Sequence, residues 1–464
     1  MAALLAFALV LLVAVLLSGL AHRSVLSTAL VFLVAGFISG DAVTGVVKVN
    51  PGQSNLELFI DLALFSVLFT DGMRVGIRQL AGAWRLPGRA LLLGMPLTLG
   101  IIAGLAHLMF DLPWIEALLM GAALSPTDPV LAAAIVGREE VPARLRHLLN
   151  VESGLNDGLA LPVVIATLAV ASENRVPLPQ LLLQIGGGVA IGVVVPWLAI
   201  RLGRLRIFGV AGLYEPLGAF AIGTIVFALA GLLGYNMFLA AFAAGVTIAT
   251  LSTAVRDAFR RFGELVTELL KLGALFLFGA LIPISAVGGV GWLLAVGFAL
   301  LVLLVARPAA LAVSLLGSQL DVSERVTAAW FGPKGFASVA YGLIILHGGI
   351  SHGSLLFDVI ALVTAISIVA HSSTDVLVAR WFRRLREEGT GGEASGDAVG
   401  QARAEAEAER EVGEQPEIEH PAERGEEPEP AEAEETAEQE AARARGDQAG
   451  SEQPPDRAGS GEQR

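Results

Sequence analysis

Residues 325–347 read RVTAAWFGPKGFASVAYGLIILH, an apolar stretch of membrane-crossing length interrupted by Phe331-Gly332-Pro333-Lys334-Gly335. Proline removes a backbone donor and disfavours helix in the residue before it, so a helix entering from either side has to stop here. Residues 113–137, PWIEALLMGAALSPTDPVLAAAIVG, repeat the arrangement with a break at Ser125-Pro126-Thr127-Asp128-Pro129. Irregular backbone inside a bilayer survives only where protein or a water-filled cavity satisfies its polar groups. Two Pro/Gly interruptions in matching segments point to a site near the membrane midplane.

The remainder of the chain fits that reading. Of 464 residues, 54% are hydrophobic and 16% charged, with a mean hydropathy of +0.68, whereas soluble domains carry about a quarter charged residues. Apolar runs separated by polar breaks give candidate spans at about 3–20, 25–39, 57–72, 89–109, 113–137, 144–171, 180–203, 213–232, 235–252, 264–283, 290–317, 325–347 and 355–381. The first lacks a basic leader and a cleavage site and reads as a retained helix. Arginines test the spacing, because basic residues gather in cytoplasmic loops. One set of loops holds Arg23, Arg74, Arg78, Arg85, Arg138, Arg144, Arg146, Arg201, Arg204, Arg256, Arg260, Arg325 and Arg380; the opposite set holds only Lys48 and Arg175. This alternation predicts thirteen crossings, with the N-terminus outside and the C-terminus in the cytoplasm.

Spans 5 and 12 then become equivalent members of two six-span repeats, 1–6 and 8–13, which an odd offset makes inverted. The expected fold is an all-α polytopic membrane protein of about thirteen transmembrane helices, in two inverted six-helix repeats with broken, crossing helices. Charge divides the chain again. Residues 1–386 hold 20 acidic and 24 basic residues, and residues 387–464 hold 24 acidic residues against 7 arginines. The second segment has almost no large apolar residue and is expected to be a disordered acidic cytoplasmic tail appended to a membrane domain. With no cysteine in the chain, disulfides and thiolate metal sites are excluded.

Each break carries a charge that suits the half-helix ends it creates. Interrupted helices expose N–H groups at one end and C=O groups at the other, so Asp128 can offset positive ends and Lys334 negative ends. Lys334 is one of three lysines, and an intramembrane charge needs a partner. Span 6 offers one in Glu152-Ser153-Gly154-Leu155-Asn156-Asp157-Gly158. Glu152 and Asn156, like Ser153 and Asp157, stand four apart and stack along a helix. Two acids, an amide and a hydroxyl facing inward mark an ion or proton pathway, and oxygen ligands suit hard cations. Asp71, next to Gly72 and Arg74, reads as an interfacial loop residue, while Asp61 could line a funnel. His107, His347 and His371 read as structural, and Arg307-Pro308 interrupts span 11.

In this order, Thr127-Asp128-Pro129, Glu152-Ser153-Gly-Leu-Asn156-Asp157 and Gly332-Pro333-Lys334-Gly335 resemble the motifs of the NhaP/NHE-type branch of the monovalent cation:proton antiporters, over residues 1–385. The resemblance implies a secondary active antiporter, not an enzyme, working as a homodimer in the plasma membrane with no cofactor beyond the transported cation and proton. Asp157 would be the exchanging carboxylate. Thr127, Ser153, Asn156 and Asp128 would complete the monovalent cation site, and Glu152 would pair with the basic residue of span 12, here Lys334 where the family usually has arginine. Proton and cation would compete for one buried charge, giving electroneutral exchange with Na⁺, or with K⁺ or Li⁺ as alternatives. A passive channel and an intramembrane aspartyl protease are the rival classes; the latter lacks its Gly-x-Gly-Asp signature. No nucleic-acid partner is expected.

Overall fold

The computed structural model describes residues 1–16, 27–41, 43–49, 54–74, 84–128, 141–172, 176–203, 214–282 and 291–390, and among these it is all helical. In chain order the helices are α1 (Ala2–Leu16), α2 (Thr28–Ser39), α3 (Ser54–Arg74), α4 (Arg85–Phe110), α5 (Trp114–Leu124), α6 (Ala143–Ala171) and α7 (Leu178–Gly203). There follow α8 (Glu215–Leu232), α9 (Met237–Leu251), α10 (Thr253–Leu281), α11 (Trp292–Ser314), α12 (Val322–Trp330), α13 (Phe336–His347) and α14 (Gly353–Thr390). Among the described residues, α4, α6, α7, α8, α11 and the Gly353–Thr374 part of α14 are long and apolar enough to cross a membrane. Residues 1–389 form one compact unit. The acidic segment beyond residue 390, the second half of span 5 (129–140) and Pro129 within it lie outside the described residues.

Both breaks are present. Span 12 divides into α12 and α13 around non-helical Phe331–Gly335, and helix α5 ends at Leu124 just before Ser125-Pro126. The polar start of α10 departs from the hydropathy reading, which placed its beginning at 264. Its helix begins at Thr253, capped by the Ser252 hydroxyl accepting from Val255 N, because a polar, amphipathic first half can be helical without being apolar.

Helices α4 and α11 share an unusual feature. Each holds a single π turn, Ala90–Gly94 and Val302–Ala306, followed two residues later by a proline, Pro96 and Pro308. A proline inside a helix removes one i→i−4 bond and pushes its ring against the carbonyl four residues back, and a widened turn absorbs both effects. Arg307-Pro308 therefore bulges α11 and does not end it. The two helices pack antiparallel, the first π turn against Arg307–Ser314 and Met95–Phe110 against Trp292–Leu301. The shared defect falls in the two spans, 4 and 11, that the sequence reading made equivalent.

Two groups of helices meet around the breaks. Helices α2, α3, α8, α9 and α10 pack on one another; α4, α5, α6, α11 and α12 form a second group, and α6 and α13 touch α3. A close approach within the first group joins α3 and α9, where a Cβ on Gly72 would strike the Phe242 carbonyl and one on Gly245 the Phe69 carbonyl. The Gly188/Gly192 pair of α7 rests against the Asn236 and Ala240 carbonyls of α9 in the same way, giving the GxxxG spacing a packing role. Overpacking costs about 1–3 kcal/mol. Gly245→Val is therefore expected to lower the melting temperature in detergent by several degrees, while Gly104→Ala, whose added methyl meets nothing within 4 Å, leaves it unchanged; differential scanning fluorimetry compares the two.

Candidate functional site

The two breaks lie against each other. Asp128 N donates to the Pro333 carbonyl (2.8 Å), which joins the non-helical segments directly. Asp128 also caps the other break: its Oδ2 accepts from Phe336 N (3.1 Å), the first residue of α13. Lys334 does the converse, its Nζ donating to the carbonyls of Ser125 and Pro126 at the end of α5 (both 3.2 Å). Lys334 N in turn donates to Ser367 Oγ of α14 (2.7 Å), so the strand-like crossing is anchored on a third element. A negative charge thus sits at a helix N-terminus and a positive one at a helix C-terminus, the favourable sense of the helix dipole.

Helix α6 runs beside this crossing. Its residues Glu152, Ser153, Asn156 and Asp157 are all buried. The Thr127 hydroxyl lies 3.1 Å from Ser153 Oγ and accepts from Asn156 Nδ2 at 2.6 Å, so three of the expected ligand residues form one hydrogen-bonded group. Tyr341 of α13 donates its hydroxyl to the backbone carbonyl of Asp157 (2.8 Å), fixing that turn of α6. The carboxylate remains uncommitted: Asp157 is 2% exposed, and its Oδ1 has no hydrogen-bond partner among the described residues. Asn156 Oδ1 is buried and unpartnered in the same way. An orphaned carboxylate oxygen in a dry interior is costly unless a proton or a cation joins it.

Glu152 corrects an expectation. Its partner is Arg307 of α11, through Nη1–Oε1 at 2.7 Å and Nη2–Oε2 at 3.1 Å, and Lys334 makes no ion pair with it. Arg307 Nη2 further donates to the carbonyls of Ala328 and Phe331 (3.3 and 3.1 Å), closing the C-terminal end of α12. The physical reason is shape. A planar guanidinium can hold a carboxylate in two bonds and still reach backbone carbonyls, whereas a compact ammonium is drawn to the carbonyl cluster at the end of α5. His371 completes this end of the site, with Nε2 2.9 Å from the Trp330 carbonyl and Nδ1 2.8 Å from that of Ser367, a structural placement.

Asp71 corrects a second expectation. It lies inside α3 and is 2% exposed, held on one oxygen by Arg74 Nη1 (3.3 Å) and without a partner on Oδ2. It lines a cavity of about 30 Å³ together with Asp128, Asp157, Thr70, Glu268 and Lys271, large enough for a water or a small ion. Sequence reasoning missed Lys271 and Tyr341, set Asp71 at the interface, and noted Arg307 in span 11 without giving it a partner. Asp61 lines a second cavity, of about 220 Å³, with Glu57, Ile60, Ala340, Leu343, Ile344 and His347. Both cavities lie along the α3–α13 seam. On α3 the nearest residues lining them, Asp61 and Val67, are six apart, roughly 9 Å. Ala63 and Leu64, between them in sequence, are apolar and fully buried.

A crossed pair of broken helices, closed by buried opposite charges within a body of apolar helices, defines a multi-pass membrane protein of transporter architecture. Residues 8–381 match the model described as sodium/hydrogen exchanger, transmembrane, and the chain belongs to that family. It is similar to the K(+)/H(+) antiporter NhaP2 of Shewanella baltica (strain OS223), 26% identical over 379 residues, which cover 79% of this chain and 64% of that protein. It is also similar to the K(+)/H(+) antiporter NhaP of Alkalimonas amylolytica, 26% identical over 374 residues covering 75% and 61%. The chain thus spans somewhat less than two thirds of the length of these relatives. Its fold matches that of the sodium proton antiporter MjNhaP1 from Methanocaldococcus jannaschii, with a TM-score of 0.65 and 18% identity over 82% of this chain and 95% of the other.

Breaking a buried ion pair by removing one partner costs about 3–5 kcal/mol. Glu152→Gln and Arg307→Gln are therefore each expected to lower the melting temperature strongly, and the double variant to lose far less than their sum. Glu152→Gln combined with Lys334→Gln should be additive. Detergent melts of the three singles and two doubles measure the coupling.

Proposed function

We propose that this chain exchanges a monovalent cation for protons by alternating access, with Asp157 as the carboxylate for which the two compete. One observation carries the reading: Asp157 is buried, has an orphaned oxygen, and faces a cavity beside the crossed breaks. Thr127, Ser153 and Asn156 lend oxygens, directly or through water, and Asp71 extends the oxygen-rich wall. An uncompensated carboxylate is costly to carry through an apolar barrier, so the site reorients when Asp157 holds a proton or a cation and not when it is naked. That rule couples the two fluxes without any cofactor. Two cavities on one seam, with Ala63 and Leu64 between them in sequence, support access from alternate sides. With Asn156 beside a single exchanging acid, the exchange is one for one and electroneutral.

Sodium is the first cation of this reading. Potassium is the second, favoured by the names of the two relatives, both K(+)/H(+) antiporters. The arginine alternation supports a plasma-membrane protein with its N-terminus outside and residues 387–464 as an acidic cytoplasmic tail, and the protein acts as a homodimer. Vesicles loaded in turn with sodium, potassium or lithium report which cation drives proton movement. Asp157→Asn is expected to reduce that flux to background while the protein still inserts; appreciable residual exchange would remove Asp157 from the role. Truncation after Thr390, which keeps α14 whole, should leave exchange at saturating cation within about twofold of the full chain, since the tail's charges are screened within roughly 10 Å.

A further inference from the structure

The third lysine is unaccounted for by the exchange reading. Lys271 lies on α10, is 3% exposed, and donates from Nζ to Asp128 Oδ1 at 2.7 Å; this is its one hydrogen bond among the described residues. The pair joins the two helix groups, because α10 packs on α2, α3 and α8 while Asp128 follows α5, which packs on α4 and α6. The ammonium is also in the wall of the cavity that Asp157 faces. This differs from the Glu152–Arg307 pair, where both carboxylate oxygens accept and Arg307 Nη2 also reaches backbone carbonyls.

An ammonium has the charge of a monovalent cation, and this one is tethered within reach of a second acceptor. Glu268, half-buried on the same helix, stands three residues before Lys271 and lines the same cavity, and i,i+3 side chains are neighbours on a helix. Four flexible methylenes let Nζ move between carboxylates without any change in backbone. Asp128 Oδ2, meanwhile, stays on Phe336 N, so the carboxylate keeps its cap on α13 whichever way the ammonium points.

We propose that Lys271 is a built-in cation: its ammonium holds Asp128 while the site is empty and moves toward Glu268 when a transported cation enters, so that Lys271 sets the apparent cation affinity. This rests on the exchange reading above. It makes Lys271 a positioning residue, acting through Asp128 and through the field in the cavity. Two unit charges a few ångströms apart repel strongly at the effective dielectric of a protein interior, enough to shift an affinity on the order of tenfold. Without the fixed charge, an entering cation meets less repulsion but also leaves more slowly, so apparent affinity and turnover move in opposite directions.

The test is the cation dependence of proton flux in proteoliposomes holding the full chain. Lys271→Gln is expected to lower the apparent KM for the cation about tenfold and to lower kcat as well, and Lys271→Arg to restore KM to within about twofold. Glu268→Gln removes the second acceptor and should raise KM severalfold with the maximal rate kept nearer to wild type. A merely structural lysine would lower kcat in Lys271→Gln with KM unchanged or raised, and that result overturns the proposal. If Lys271→Gln fails to insert, Glu268→Gln decides alone: a raised KM supports the built-in cation and an unchanged KM refutes it. Absence of cation-coupled flux in the unaltered protein would refute the exchange reading itself, a different outcome from normal flux with an unmoved KM.

Discussion

Backbone polarity in a medium without water is the constraint on which the rest of this structure depends. Proline and glycine in Ser125–Asp128 and Phe331–Gly335 leave N–H and C=O groups that no helix satisfies, at a depth where each unsatisfied group costs several kcal/mol. The two breaks solve this jointly. They bond to each other through Asp128 N and the Pro333 carbonyl, and each sends a side-chain charge to the half-helix end of the other. Neither break is viable alone, so the crossing is locked as a unit, and α6, α11 and α14 are positioned by what they contribute to it.

Within that unit the buried charges divide by how fully they are satisfied. Arg307 and Glu152 use two bonds on each other and further bonds to the end of α12, leaving little reason to move. Asp157 is the opposite case, with its backbone carbonyl fixed by Tyr341 and a carboxylate oxygen that nothing in the described protein completes. Rigid support beneath an unsatisfied acceptor is what a site needs if it is to bind and release an ion or a proton instead of collapsing onto it. Asp128 and Lys271 stand between these extremes, bonded to each other yet lining the cavity.

The paired π turns accommodate different tasks. Pro96 and Pro308 impose the same widened turn on α4 and α11, and the two helices lie antiparallel. In α4 the neighbouring hydroxyl of Thr98 satisfies the Gly94 carbonyl (2.8 Å). In α11 the residue following the turn is Arg307, and the bulge coincides with the place where its guanidinium enters the interior. One geometric defect serves packing in one helix and charge placement in the other.

Much of this was legible in the chain itself. Apolar run length and the Pro/Gly interruptions specify most of the helices and the breaks, because each follows from local hydrogen bonding and from the cost of charge in hydrocarbon, while the polar first half of α10 escaped them. The stripe of Glu152, Ser153, Asn156 and Asp157 follows from helical periodicity, and the structure places all four in the interior. Which charge meets which was not legible. Arg307 lies 155 positions from Glu152 and Lys271 143 from Asp128, and local rules carry no information across such separations. Asp71 looked interfacial by its neighbours Gly72 and Arg74, but the close approach of α3 and α9 at Gly72 and Gly245 draws that turn inside. Sequence by itself determined the elements and the places where they had to break, since backbone chemistry is local. Only the tertiary structure decided the pairing of the buried charges, since that is settled by which side-chain shapes the packed helices bring within 3 Å of one another.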